Sequence, residues 1–400
     1  MLVALAAVLH LRLYGGDVNT AYLNALLRIR QYLKTIDGFP CATKGHMYGV
    51  MKALYGLRQS GREWSTELNR WFQNQGYLRL LIEPCLYYKF EHDIMVATNS
   101  EEHKCKLFEK LDEVYGIKDQ GLLTEYLGIE VDQADESVTL RQSKYAREIL
   151  ETFGYESAHA VGNRMETNVR MVPLDANEES ASSFEYRKAI GMLMYMATGR
   201  RPGLAYAVGQ LSRFVAKPSA KHVGTLKRVL RYLAGTLDYG IKYRHSKGVP
   251  SIITLEGFCD SDWTNDPESR KSTTGFVFTL KRNMSACEAT MEAISASNIL
   301  QEVLPDRDVQ LKLGIDNQAA HVLATNPTYS RRPRHIELRW HFVREQVQKG
   351  AIMLHMVQGN ENPADAFTNP LDKLRLKGLL EFVGVGSGNE KQHADQRFKA

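Results

Sequence analysis

A chain of 400 residues, 44% hydrophobic and 24% charged, has the composition of a globular protein and room for two or three domains with cores of their own. Its net charge of +5 permits a polyanionic partner without requiring one. Five scattered cysteines, Cys41, Cys85, Cys105, Cys259 and Cys287, make neither a disulfide frame nor zinc-ligand spacing, which points to a reducing compartment.

The N-terminal run MLVALAAVLHLRL has no basic residue ahead of its apolar stretch, and His10 and Arg12 interrupt it short of membrane-spanning length. It is expected to be a buried helix running into Gly15 and Gly16, not a signal or an anchor. Residues 17–24 read as a strand passing into a turn. Residues 62–75 read as an amphipathic helix with Trp64, Leu68, Trp71 and Phe72 on one face. CLYYKFEHDIMVATNS has the pattern of strand, very short turn, strand. Residues 104–115 are helical, with Leu107, Leu111 and Val114 spaced for one face. YLGIEVDQADESVTLRQ reads as a hairpin, and KYAREILETFG as a helix ended by Gly154. Residues 162–183 are polar, carry the acidic run NEES and form a linker candidate. Residues 186–233 read as mostly helical, strands near 252–258 and 273–280 open a new unit, and the Gly- and charge-rich residues beyond Val385 are expected to be disordered.

Two acidic segments flank KALYGLRQSGREW. One places Asp17 in an extended run, and the other places Asp93 before an apolar, β-branched run. Carboxylates on neighbouring strands opposite a Gly-, Arg- and Gln-bearing segment suit a divalent-metal site that handles nucleotide phosphates. Taken alone, Asp17 reads more readily as an aspartate capping a turn at a strand end. The basic clusters at Arg28 and Arg30, at 227–231 and at 331–334 read first as solvated faces, with 331–334 the best phosphate contact of the C-terminal half. His335 and Arg339, four apart, read as a surface pair on a helix.

LYGLRQSGREW, GFCDSDW, KRVLRYLAGT, IDNQAA, RHIELRWHFVRE and NPADAFTNPL, in this order, resemble the reverse transcriptase and ribonuclease H region of a copia-type LTR-retrotransposon polyprotein, from about residue 11 to residue 371. The resemblance implies an α+β and α/β multidomain chain. Residues 1–165 would form a reverse transcriptase palm and thumb without fingers, 166–250 a linker and connecting helical region, 251–371 a ribonuclease H-like mixed sheet, and 372–400 a disordered tail. It also implies an RNA template and an RNA/DNA hybrid as partners, no membrane, and a place in a cytoplasmic particle or the nucleus. Oligomeric state is left open.

Site residues follow by the same resemblance. In the polymerase half, Asp17 and Asp93 match metal-binding aspartates. Tyr22 matches the aromatic beneath the incoming sugar, and Gly56 and Gln59 match the segment packed on template and nascent base pair. In the nuclease half, Asp260, Asp316 and Asp365 match three of the four carboxylates that hold two Mg2+ ions, while Asp262 is expected on the opposite face of its strand.

Two departures bear on catalysis. The family's Tyr-Val-Asp-Asp hairpin reads Glu91, His92, Asp93 here, and an imidazole at His92 is a poor ligand for magnesium. The fourth nuclease carboxylate falls on Thr290, and Glu288 and Glu292, two residues either side, lie about 200° away round a helix. The motif order therefore favours a retroelement polymerase and nuclease over an unrelated α/β interaction protein, and the two defects favour reduced catalysis or a remnant that only binds nucleic acid.

Overall fold

The computed structural model describes residues 2–41, 43, 45–88, 97–167, 169, 171–174, 180, 184–245, 248, 251–262, 273–279, 288–325 and 334–387. They form two compact units, one of residues 10–123 and one of residues 3–9 with 124 onward.

Helix α1 (Leu2–Leu9) stops at His10, whose φ of 57° is a left-handed turn that breaks the helical path. The chain continues as β1 (Arg12–Val18), so Gly15 and Gly16 lie within a strand and not after a helix. Their place has a steric reason: a Cβ at Gly16 would stand 2.6 Å from Ile117 Cδ1, in a stretch where the strand pairing shifts register. A short 3-10 turn (Ala21–Asn24) leads into the ribbon β2 (Leu26–Leu33) and β3 (Tyr48–Lys52).

Helix α2 (Ser60–Asn74) follows, then β4 (Leu78–Arg79), β5 (Tyr87–Tyr88), β6 (Ala97–Thr98), α3 (Glu101–Tyr115) and β7 (Ile117–Leu122). β1 is the middle strand of an antiparallel sheet ordered β6-β1-β7. Trp64, Leu68, Trp71 and Phe72 of α2 pack with Leu107, Phe108, Leu111 and Tyr115 of α3 into the unit's core. The buried face of α3 runs through Lys104, Phe108, Leu111 and Tyr115, while Val114, expected on it, is exposed. A spacing of four, three and four keeps the first set on one stripe and turns position 114 outward.

The larger unit opens with β8 (Glu125–Tyr126), β9 (Ile129–Ala134) and β10 (Ser137–Arg141), the expected hairpin. Helix α4 (Ser143–Phe153) ends at Gly154, whose φ of 70° supplies the left-handed cap read from the sequence. Helices α5 (Tyr186–Gly199), α6 (Ala205–Ser212) and α7 (Ala220–Ala234) pack on α4 around one apolar core. Next come β11 (Tyr239–Arg244), β12 (Ile252–Asp262), β13 (Thr273–Thr279), α8 (Glu288–Val303), β14 (Asp308–Ile315), α9 (Gln318–Thr325), α10 (Arg334–Gln348), β15 (Met353–Met356), α11 (Asp365–Thr368), α12 (Lys373–Phe382) and β16 (Val385–Ser387). A sheet ordered β13-β12-β14-β15 has β12, β14 and β15 parallel and β13 antiparallel, with Leu255, Leu311 and Leu313 packed on Ala293 and Ala296 of α8.

Two expectations are corrected. Residues 372–387, expected as disordered tail, form α12 and β16. Leu376, Leu379 and Leu380 enter the helical core, and β16 pairs with β11 at the edge of a five-stranded sheet. The glycines and charges suggested disorder, but leucines at helical spacing and β11's open edge determine the outcome.

The linker candidate 162–183 is partly core as well. Met165 and Met171 are buried, and Arg164 is only 1% exposed. Its guanidinium donates to the carbonyls of Gly203 (2.5 Å), Ala366 and Asn369 (3.4 Å), and burial pushes its pKa down to about 10.

Substituting Arg164 by Ala would strip buried carbonyls of their donor, so Arg164→Ala is expected to destabilise the larger unit by about 3 kcal/mol, the scale of two or three lost buried hydrogen bonds. Urea denaturation against wild type measures this, and a loss within the scatter of a surface substitution would contradict the bracing role.

Candidate metal centre

The parallel pairing of β12 with β14 sets Cys259 beside Ile315, so the next residues, Asp260 and Asp316, sit side by side at the C-terminal ends of neighbouring strands. Asp365, at the start of α11, closes the third side. Ligand oxygens from Asp260, Asp316 and Asp365 all lie within 4.8 Å of one another. The close seat of β14 depends on Gly314, where a Cβ would stand 2.6 Å from Phe258 Cδ1 and 2.7 Å from Val357 Cγ2.

Each carboxylate has its own holder. Thr368 Oγ1 donates to Asp260 Oδ2, and Asn369 Nδ2 donates to the same oxygen at 3.0 Å. Asn362, fully buried, donates from Nδ2 to Asp316 Oδ2 at 2.9 Å and to the Cys259 carbonyl at 2.5 Å, while its Oδ1 accepts from the Ala364 amide at 3.1 Å. Arg375 of α12 pairs with Asp365 Oδ2 and also donates to the Gly359 carbonyl at 2.8 Å.

The electrostatics follow from crowding three acids at a partly buried spot. Burial, then the Asp260 charge, push Asp365 up to about 7, while Arg375 pulls it back and Asp316 adds to the rise. Asp316 is raised by burial and by Asp260, against the hydrogen bond from Asn362. Unlike isolated surface acids, Asp316 and Asp365 resist ionising, which is the condition that a bound cation relieves. The donor set is all oxygen, the type that hard divalent ions prefer. These residues therefore fit a divalent metal.

The fourth expected position behaves as its residue type predicts. Thr290 in α8 is fully buried, and Glu292 is exposed. Neither the side chain of Glu288 nor that of Asp262 lies among the described residues.

The site residues expected in the N-terminal half fall only partly among the described residues. Asp17 is exposed on β1, opposite Lys118 of β7 in the strand register. Asp93, expected beside Asp17, and His92 lie outside the described residues. Tyr22 packs against Tyr55 with the rings tilted at 34° and their centroids 4.6 Å apart, and a Cβ on Gly61 would stand 3.7 Å from the Tyr22 hydroxyl. Gly56 beside Tyr55 takes a φ of 92°, and Gln59 caps α2 with its Nε2 buried and unpartnered among the described residues. Tyr22, Gly56 and Gln59 therefore lie around one end of α2. Arg331 lies outside the described residues, as do the side chains of Arg334, His335 and Arg339.

Sequence reasoning missed Asn362, Thr368, Asn369 and Arg375. For two of them a signal was present: Asp365, Thr368 and Asn369 stand at i, i+3 and i+4, the spacing of one helical face. Arg375 carries no such signal, because it lies beyond the span of the motifs.

Residues 1–167 match the family described as reverse transcriptase (RNA-dependent DNA polymerase). The chain is 29% identical over 426 residues to the retrovirus-related Pol polyprotein from transposon TNT 1-94 of Nicotiana tabacum, a match covering 96% of this chain and 32% of that protein. It is also 29% identical over 402 residues to the Pol polyprotein from transposon RE2 of Arabidopsis thaliana, covering 92% of this chain and 27% of that one. The chain thus spans about a third or less of these relatives' length. A foamy viral protease-reverse transcriptase solved with an RNA/DNA hybrid aligns with a TM-score of 0.42 at 10% identity, over all of this chain and 48% of that one. The first 167 residues thus match the reverse transcriptase family, and along most of its length the chain is similar to the Pol polyproteins of copia-type retrotransposons.

Proposed function

We propose that this chain is a reverse transcriptase and ribonuclease H segment of a retroelement polyprotein, with a truncated palm and thumb, a connecting helical region and a C-terminal nuclease-like sheet. In this reading its partners are an RNA template and an RNA/DNA hybrid, its cofactor is Mg2+, and its catalysis is reduced. One observation carries the reading: Asp260, Asp316 and Asp365, over 100 residues apart at their extremes, converge within 4.8 Å.

In the nuclease half, Asp260, Asp316 and Asp365 would hold the metal. A divalent ion held there would supply Lewis-acid polarisation of a phosphoryl oxygen and would lower the pKa of a water toward neutrality. The chain's own residues do the positioning. Thr368 and Asn369 fix the rotamer of Asp260, Asn362 ties Asp316 to the β12 backbone, and Arg375 orients Asp365. With Thr290 at the fourth position, a second ion lacks a carboxylate, and each metal supplies several kcal/mol of charge stabilisation. A nucleic-acid-binding remnant is the second reading, favoured by that same residue.

Three outcomes are expected. A ribonuclease H assay on an RNA/DNA hybrid with Mg2+ should show cleavage that is weak and that disappears in Asp316→Asn, whereas cleavage unaffected by that change would remove the triad from the reaction. Primer extension on poly(rA)/oligo(dT) should not rise above background, because His92 stands where a metal carboxylate is needed, and robust synthesis would refute the impairment.

The third concerns the metal-free chain. The Asp365 carboxyl titrates near 7 when folded and at its ordinary low value when unfolded, so its contribution to stability is present in acid and is lost as pH rises through about 7. In EDTA, the melting temperature of Asp365→Asn relative to wild type should therefore climb between about pH 5 and about pH 8, and added Mg2+ should raise wild type at the upper pH. A difference independent of pH would mean that the carboxyls are not crowded in solution.

A further inference from the structure

We propose that Arg375 is a built-in cation of the carboxylate cluster, and that it restricts the site to one divalent ion. The inference rests on the metal-site reading above and deepens it by assigning a stoichiometry and a residue that sets it.

The argument begins with geometry. Arg375 projects from α12, whose Leu376, Leu379 and Leu380 are anchored in the helical core, so the guanidinium is delivered by a fixed element and not by a loose tail. It is held from two directions. One amino group pairs with Asp365 Oδ2 and also donates to the Gly359 carbonyl at 2.8 Å. Gly359 in turn adjoins the second acid of the cluster, since a Cβ there would stand 3.9 Å from Asp316 Oδ2. Asp365's side chain is 10% exposed and Arg375's is 36%, so the carboxylate end of the pair is shielded, where charge is screened less than at an open surface, while the guanidinium reaches solvent.

Charge and ligand supply then agree. Three carboxylates carry three negative charges, and the guanidinium leaves two, which one divalent ion neutralises. A second ion would bring two more positive charges into a space already balanced, beside a fixed cation. It would also need further oxygen ligands, and among the described residues Asp365 Oδ2 is committed to Arg375 and the fourth position is the buried Thr290. Arg375 is thus a positioning and specificity residue: it orients Asp365 for a single ion and excludes the next.

The test is direct metal binding, with no turnover involved. Mn2+ titrated into the full chain and followed by calorimetry and by the loss of its free-ion EPR signal should show one ion per chain. Arg375→Met should bind Mn2+ about tenfold more tightly, a change of about 1.4 kcal/mol. Arg375→Lys, which keeps the charge, should stay close to wild type, and circular dichroism should show both variants folded. Two ions on wild type, or an unchanged or weaker affinity in folded Arg375→Met, would overturn the role of Arg375 while leaving the triad a metal site. No Mn2+ on wild type or on either variant would overturn both the role and the metal-site reading beneath it.

Discussion

Three carboxylates facing one another at the ends of two parallel strands and a short helix repel, and the design of the larger unit follows from containing that repulsion. Burial makes the conflict sharper, as the rise of Asp365 to about 7 records. A hydroxyl and an amide serve Asp260, a buried amide serves Asp316, and a guanidinium serves Asp365. Hydrogen bonds to ionised acceptors are among the stronger ones available to a protein, so these donors set side-chain orientation as well as charge. A cluster held open in this way is preorganised for a cation, because the repulsion is already present before the ion arrives.

The donors tie the site to the rest of the unit. Asn362 reaches back to the Cys259 carbonyl, joining the β15 to α11 connection to β12. Arg164, from a stretch with no regular structure, binds the carbonyls of Ala366 and Asn369 from within the helical core and joins them to Gly203. The polypeptide then passes through α12, whose leucines complete that core, and on into β16, which pairs with β11. Sheet, helices and C-terminal segment therefore share one set of buried contacts, and the carboxylates cannot be assembled by the sheet alone.

A retroelement origin was legible because six short motifs stand in order, and the chemistry of aspartates near strand ends was legible with it. Local patterns also read well. The Gly154 cap, the hairpin through β9 and β10 and the aromatic face of α2 are each decided by residues close in sequence. The face of α3 was read one position off, with Val114 in place of Tyr115, because several stripes on that helix are apolar and only the packing partner selects one. The polar look of residues 162–183 and the glycines near the C-terminus suggested loose chain. Composition averages over neighbours, however, and one buried arginine or a few well-spaced leucines suffice to anchor a segment.

What the sequence alone determined is the identity of the acids, the order of the motifs, and the residues His92 and Thr290 that stand where carboxylates were expected. Tertiary structure alone decided that Asp260 and Asp316 are neighbours through the register of β12 with β14, that Asp365 closes the triangle, and that Arg375 faces it. The physical reason is that periodicity reports which side of an element a residue takes, while the meeting of distant strand ends depends on sheet order and on which helix is left to cover them.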